Sequence, residues 1–133
     1  MRFVVAYAVT AVVFLGLDAI WLTQIALGMY RRELGGLLLD QPNLAVAGLF
    51  YLLFVLGIVV LVVNPALAGG GWLTALWMGA ILGAVAYGTY DITNLATLRN
   101  WSVVVTMADL AWGTALTAIS ATAGYFAVTW LRL

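Results

Sequence analysis

Long apolar runs separated by short polar segments make up almost the whole chain. Four such runs occupy about residues 3–28, 44–63, 72–94 and 102–130. A helix needs about 20 apolar residues to cross the hydrocarbon core of a bilayer, and each run supplies them. No segment shows the alternation of apolar and polar residues over about 10 positions that marks a membrane β-strand. The pattern therefore predicts an all-α membrane protein, a four-transmembrane-helix bundle forming a single integral membrane domain over residues 1–133.

The segments between these runs carry turn residues and most of the charge. Residues 29–43 hold four of the ten charged side chains and end near Pro42. The second run contains no ionisable group and is predicted to be lipid-facing scaffold. It is predicted to stop at Asn64-Pro65, because proline lacks a backbone N–H and disfavours helical geometry in the residue before it. In the third run, Gly79 and Gly83 predict close packing against a neighbouring helix.

Composition agrees with a lipid environment and excludes several kinds of chemistry. Charged residues are 8% of the chain, against roughly 25% in soluble domains. Cys, His and Lys are all absent. This excludes the usual ligands of haem, iron–sulfur clusters and structural zinc, and it excludes a lysine Schiff base. A net charge of zero without a basic run argues against nucleic acid as a partner. We therefore assign no cofactor and no metal ligands.

Three aspartates lie inside or at the end of predicted helices. Counting ~1.5 Å per residue places Asp18 and Asp109 on the order of 10 Å inside the membrane boundary, with Asp91 at the end of its helix. All three are nearer the side of the bundle that carries residues 29–43 and 95–101, which we call the loop face. A charged side chain facing lipid costs roughly 2.5–3.5 kcal/mol on insertion scales. Two interpretations stay open: interhelical hydrogen bonds that only fix packing, or a polar pocket opening towards the loop face.

Aromatic and polar residues accompany these carboxylates. The pattern Asp-x-x-Trp occurs twice, at Asp18–Trp21 and at Asp109–Trp112. Side chains three residues apart share a helix face, so each indole is expected beside the carboxylate of its own helix. Residues 87–101 hold the densest polar chemistry of the chain. The candidate ligand-binding residues are Asp18, Trp21, Tyr87, Tyr90, Asp91, Asn94, Arg99, Asp109 and Trp112.

Several short motifs together resemble a known family. They are Asp18-Ala19-Ile20-Trp21-Leu22, Tyr30 with Leu34-Gly35, Phe50-Tyr51-Leu52, Tyr87-Gly88-Thr89-Tyr90-Asp91-Ile92-Thr93-Asn94, Ala96-Thr97-Leu98 with Trp101, and Asp109-Leu110-Ala111-Trp112-Gly113. The chain resembles, over nearly its whole length, a family of small bacterial predicted membrane proteins catalogued only as a domain of unknown function. The resemblance implies a four-helix protein of the bacterial inner membrane. It implies no activity, ligand or catalytic residue.

Three functions are compatible with this pattern. The first is an inner-membrane protein whose three-aspartate and aromatic site binds or transports a small molecule or cation, linked to a proton. The second is a membrane enzyme acting on a lipid or polyprenyl substrate, with a divalent metal held by the carboxylates. The third is a non-catalytic subunit of a membrane complex. A structure in which the aspartates meet at one cavity would favour the first two over the third.

Arginine distribution and composition give the expected orientation and partners. Arg31, Arg32 and Arg99 lie on the loop face, and Arg2 and Arg132 lie on the opposite face. Positive residues accumulate on the cytoplasmic side, so loops 29–43 and 95–101 are predicted to be cytoplasmic. The expected partners are the lipid bilayer, a small-molecule or cation ligand, and further copies of the chain in a homo-oligomer.

Overall fold

The computed structural model describes residues 1–133, and it consists of helices joined by short connections, with no β-strand. In chain order the elements are α1 (Arg2–Ile20), a π-helical turn (Trp21–Ile25), α2 (Leu27–Leu34), a 3₁₀ turn (Gly35–Leu37), α3 (Leu44–Ile58), two further π-helical turns (Val59–Val63 and Ala66–Gly70), α4 (Gly71–Thr97) and α5 (Val103–Trp130). The predicted all-α class is confirmed.

Three helical stretches are long and apolar enough to cross a membrane: Arg2–Ile25, Leu44–Thr97 and Val103–Trp130. The middle stretch is 54 residues long, but its helical geometry is interrupted at Gly69, where φ is 134°. L-amino acids with a side chain rarely adopt that backbone conformation, which is why a glycine occupies the bend. The bend divides the stretch into two helices, so the bundle has the four predicted spans.

The second span is longer than the sequence predicts. The proline predicts an end at Asn64-Pro65, but the helix continues through Pro65 to Gly70. Pro65 removes one backbone donor, and widened π-helical turns lie on both sides of it. Because the neighbouring turns adjust in this way, the proline is accommodated and the helix ends at the glycine bend instead.

The loop-face ends of the helices also differ in detail from expectation. The first span passes through the π-helical turn at Trp21–Ile25, and the segment after it forms the short helix α2 where the sequence predicts a loop. Side-chain caps set the starts of the next loop-face helices. The Asn43 side chain accepts a hydrogen bond from Val46 N (3.1 Å), and Ser102 Oγ accepts one from Val105 N (3.0 Å). These bonds satisfy backbone donors that a helix start leaves free.

Helix α5 is the centre of the bundle and packs most extensively on α4 and then on α1. Small residues allow this approach. A Cβ added at Gly79 would lie 2.9 Å from Ala118 Cα, and one added at Gly83 would meet the Gly113 carbonyl oxygen. The predicted close contact through Gly79 and Gly83 is therefore present, and its partner is α5.

The second span contributes to the core on one side, so its interpretation as lipid-facing scaffold holds only for its other residues, such as Leu49, Leu53 and Leu61, which are exposed. Val55, Ile58, Val59 and Val63 are all fully buried. The span approaches α4 and α5 through its segment Val59–Val63, whereas the loop-face half of α3 makes no comparable approach to α4. The sequence could not show this, because a helix that is apolar all round carries no periodic signal for its buried face.

Candidate functional site

A cavity of about 440 Å³ lies in the loop-face half of the bundle, and all five helices contribute to it. Its lining residues are Asp18, Trp21, Leu22, Tyr30, Phe50, Tyr51, Phe54, Ala86, Tyr87, Tyr90, Asp109 and Trp112. Two of these are carboxylates and eight are aromatic, and no basic side chain is among them. Six of the nine candidate residues from the sequence meet at this cavity.

Asp18 is held by a donor on another helix. The side chain is buried, with 5% of its surface exposed, and Trp112 Nε1 on α5 donates a hydrogen bond to Asp18 Oδ1 at 3.0 Å. The Tyr51 hydroxyl on α3 also lies close to this carboxyl group. A carboxylate that faced lipid from α1 would be costly, and this contact with α5 turns it into the bundle interior.

Asp109 is held by the short helix α2. The Tyr30 hydroxyl donates to Asp109 Oδ1, and Trp21 Nε1 donates to the Tyr30 hydroxyl oxygen at 3.1 Å. Burial raises the pKa of Tyr30 above its ordinary value, and the hydrogen bond to Asp109 raises it further. Tyr30 therefore stays protonated at neutral pH and remains a donor. This chain of bonds ties the segment after the first span to α5.

The two tryptophans pair with each other and with partners across the bundle. Trp21 and Trp112 stack with ring centroids 4.7 Å apart and planes 8° from parallel. The sequence pattern predicts each indole beside the aspartate of its own helix. In the structure Trp112 donates to Asp18 on α1, and Trp21 reaches Asp109 through Tyr30. The repeated Asp-x-x-Trp pattern thus serves contact between helices.

Each of the two lining carboxylates keeps one oxygen outside these hydrogen bonds. The bonds from Trp112 and Tyr30 both go to Oδ1. The Tyr51 hydroxyl lies beside the carboxyl group of Asp18, and Asp91 lies beside that of Asp109. One oxygen of each carboxylate is therefore fixed by a hydrogen bond across the bundle.

Asp91 lies behind the cavity wall. It is fully buried, does not line the cavity, and neither of its oxygens has a hydrogen-bond partner. Asp109, which lines the cavity, lies beside it. No group of three His, Cys, Asp or Glu side chains is placed to hold a metal ion. The three aspartates are thus neighbours, but they do not form one shared ligand set.

Of the remaining candidate residues in the segment 87–101, two lie away from the cavity. Asn94 is half-buried and Arg99 is exposed, and neither lines the cavity. Tyr90 does line it, although 57% of its surface is exposed, and its ring meets Trp101 edge to face at 5.8 Å. The polar segment 87–101 therefore contributes mainly its first turn, through Tyr87 and Tyr90.

Sequence reasoning missed half of the lining. Leu22, Tyr30, Phe50, Tyr51, Phe54 and Ala86 were not candidates. Tyr51 did carry a signal, because it is the only side chain with a hydroxyl group in the second apolar run. Phe54 packs edge to face on Tyr87 at 6.3 Å and on Phe14 at 5.5 Å. These contacts join the aromatic side chains of α3 to α1 and α4.

Residues 3–126 match a protein family described as "Predicted membrane protein (DUF2177)". The match covers nearly the whole chain and confirms the resemblance predicted from its motifs. No curated protein and no solved structure matches the chain.

Proposed function

The chain belongs to this family of predicted membrane proteins, and we propose that it binds a small organic cation, an amine or a quaternary ammonium, in the cavity of the loop-face half. The observation that carries this proposal is the lining itself. Aromatic side chains form most of the wall, two carboxylates project from α1 and α5, and no basic side chain neutralises them.

Each part of this lining favours a cation. Aromatic faces attract ammonium groups within about 6 Å of the ring centroid, and more strongly where water is excluded. The carboxylates of Asp18 and Asp109, which both line the cavity, supply the opposite charge. A volume of about 440 Å³ is in the range of cavities that hold small molecules, roughly 300–1,000 Å³. An anion would meet two carboxylates without a basic partner.

In this proposal Asp18 and Asp109 bind the positive group, and the stacked pair Trp21 and Trp112 forms one wall beside it. Tyr87 and Tyr90 contribute further aromatic rings to the lining. Trp112 and Tyr30 act as positioning residues, because each holds the Oδ1 atom of a carboxylate and so orients that carboxyl group.

Benzyltrimethylammonium is a suitable probe, with its uncharged carbon analogue neopentylbenzene as the control ligand. The protein in lipid nanodiscs should bind the cation saturably, with quenching of tryptophan fluorescence, and should not bind the neutral analogue in the same way. Asp18→Asn and Asp109→Asn should each weaken binding at least tenfold. Asp40→Asn, at an exposed loop position, should leave it unchanged. Equal binding of both probes, or no saturable binding, refutes the proposal.

We also propose that the protein lies in a bacterial inner membrane with loops 29–43 and 95–101 in the cytoplasm. The family resemblance and the three arginines of the loop face support this. Because the chain has no Cys, single cysteines at Asp40 and at Arg132 give a clean test. An impermeant maleimide added to intact cells should label Arg132→Cys and spare Asp40→Cys. The reverse pattern would invert the orientation.

A further inference from the structure

The cavity differs between its loop-face end and its lipid-facing side. At the loop-face end, two hydrogen bonds hold α2 against the bundle. Trp21 donates to Tyr30, and Tyr30 donates to Asp109. Tyr30 is half-buried, and its ring and hydroxyl form part of the lining. These bonds tie α2 to α5 beside the cavity.

On the side between α3 and α4, no side-chain hydrogen bond of this kind joins the two helices. The second span comes close to α4 through Val59–Val63, deeper in the bundle, and the last aromatic contact between the walls is Phe54 on Tyr87. One turn nearer the loop face, Phe50 and Tyr90 both line the cavity and are 61% and 57% exposed. In a membrane span these exposed surfaces face lipid.

The opening lies within the depth of the bilayer. Phe50 is six residues from the start of α3, and Tyr90 is seven from the end of α4. At ~1.5 Å per residue both are on the order of 10 Å below the helix ends. A molecule that passes between them therefore comes from the membrane leaflet on the loop side.

Polarity changes along the same direction. Asp18 is buried at 5% exposure and accepts a hydrogen bond from α5, whereas Phe50 and Tyr90, which line the same cavity, are 61% and 57% exposed. A ligand that matches both ends has a cationic group and a hydrocarbon part that remains in lipid.

We infer that the ligand is a single-chain cationic amphiphile, which enters from the bilayer between α3 and α4 and keeps its tail in that opening. This inference rests on the proposed function, because it takes the carboxylates as the site of the positive group. It adds the class of ligand and its route.

A photoreactive ligand tests the route directly. The probe is dodecyltrimethylammonium with a diazirine in the first half of its tail, added to the protein in nanodiscs and followed by mass spectrometry of the labelled peptides. Labelling is expected on the cavity sides of α3 and α4, at Phe50, Phe54 or Tyr90. Excess unmodified dodecyltrimethylammonium should abolish that labelling, and Asp109→Asn should do the same.

Two results would overturn the inference. Competed labelling on α2 or in residues 35–43 would mean that the tail leaves through the loop face. Labelling that competition does not reduce, and that is equal at the lipid-facing residues Leu53 and Val85, would mean that the probe samples lipid alone. In both cases saturable binding of benzyltrimethylammonium still decides the proposed function separately, because that probe has no tail.

Discussion

Replacement of Gly83 by Ala tests the packing that brings α5 against α4. The added Cβ would meet the Gly113 carbonyl oxygen and would lie 2.9 Å from both Cβ and Oγ1 of Thr117. The first of these is backbone, and Thr117 is fully buried, so neither can move aside without shifting a helix. Carbon atoms in ordinary contact are about 3.5–4.0 Å apart, so the helices must separate by roughly an ångström.

The expected magnitude follows from overpacking a well-packed interface, which typically costs about 1–3 kcal/mol. Alanine also favours helix over glycine by up to ~1 kcal/mol, and this gain partly hides the clash. Gly57→Ala provides the matched control, because Gly57 lies inside α3 and a Cβ there meets nothing within 4 Å. The difference between the two variants isolates the clash.

Reversible unfolding by SDS in mixed micelles, followed by tryptophan fluorescence and circular dichroism, measures this difference. We expect the free energy of unfolding of Gly83→Ala to be lower than that of Gly57→Ala by about 1–3 kcal/mol. If the two variants agree within about 0.5 kcal/mol, a value below the range for overpacking, α4 does not approach α5 at Gly83 and the packing of these two helices is wrong.

Two further variants test the hydrogen bonds of the cavity. Trp112→Phe removes the donor to Asp18 while keeping an aromatic ring. It should lower the free energy of unfolding by about 1–3 kcal/mol. The control Trp130→Phe, at an 86% exposed position, should change that free energy little. Tyr30 contributes stability that is fully present below its ordinary pKa of 10.0 and is lost as pH rises above it, because the folded protein holds this proton more tightly. Tyr30→Phe should therefore reduce the loss of stability between neutral pH and pH ~11, measured by the same unfolding assay, and an unchanged slope contradicts the bond.

The sequence predicts the four spans because lipid imposes a simple requirement. Backbone polar groups must be satisfied within each segment, so an apolar run of sufficient length becomes a helix. The end of the second span was not predictable in the same way. Whether Pro65 ends the helix depends on whether the turns beside it can widen, and that is decided by the packing of Val59–Val63 against α4 and α5.

The features of the cavity that depend on residue spacing within one helix were predictable from the sequence. Helical spacing placed Asp18 with Trp21 and Asp109 with Trp112, and all four line the cavity. The bonds between them depend on how the helices are rotated against each other, which spacing within one helix does not determine. Tyr30 reaches Asp109 because α2 folds back over the bundle, and Phe54 reaches Tyr87 because α3 turns that face inward.

The three aspartates differ in the hydrogen bonds that their carboxyl oxygens accept. A carboxylate that only joins helices would be expected to use its oxygens on donors of neighbouring helices, since an unpaired buried polar group is costly. Asp18 and Asp109 each use one oxygen in this way, and both residues line the cavity. Asp91 uses neither and lies against Asp109. Packing alone therefore accounts for the position of one oxygen on each of two residues, and no basic side chain lines the cavity beside them. In the proposed function, a positive ligand supplies the opposite charge at these two carboxylates.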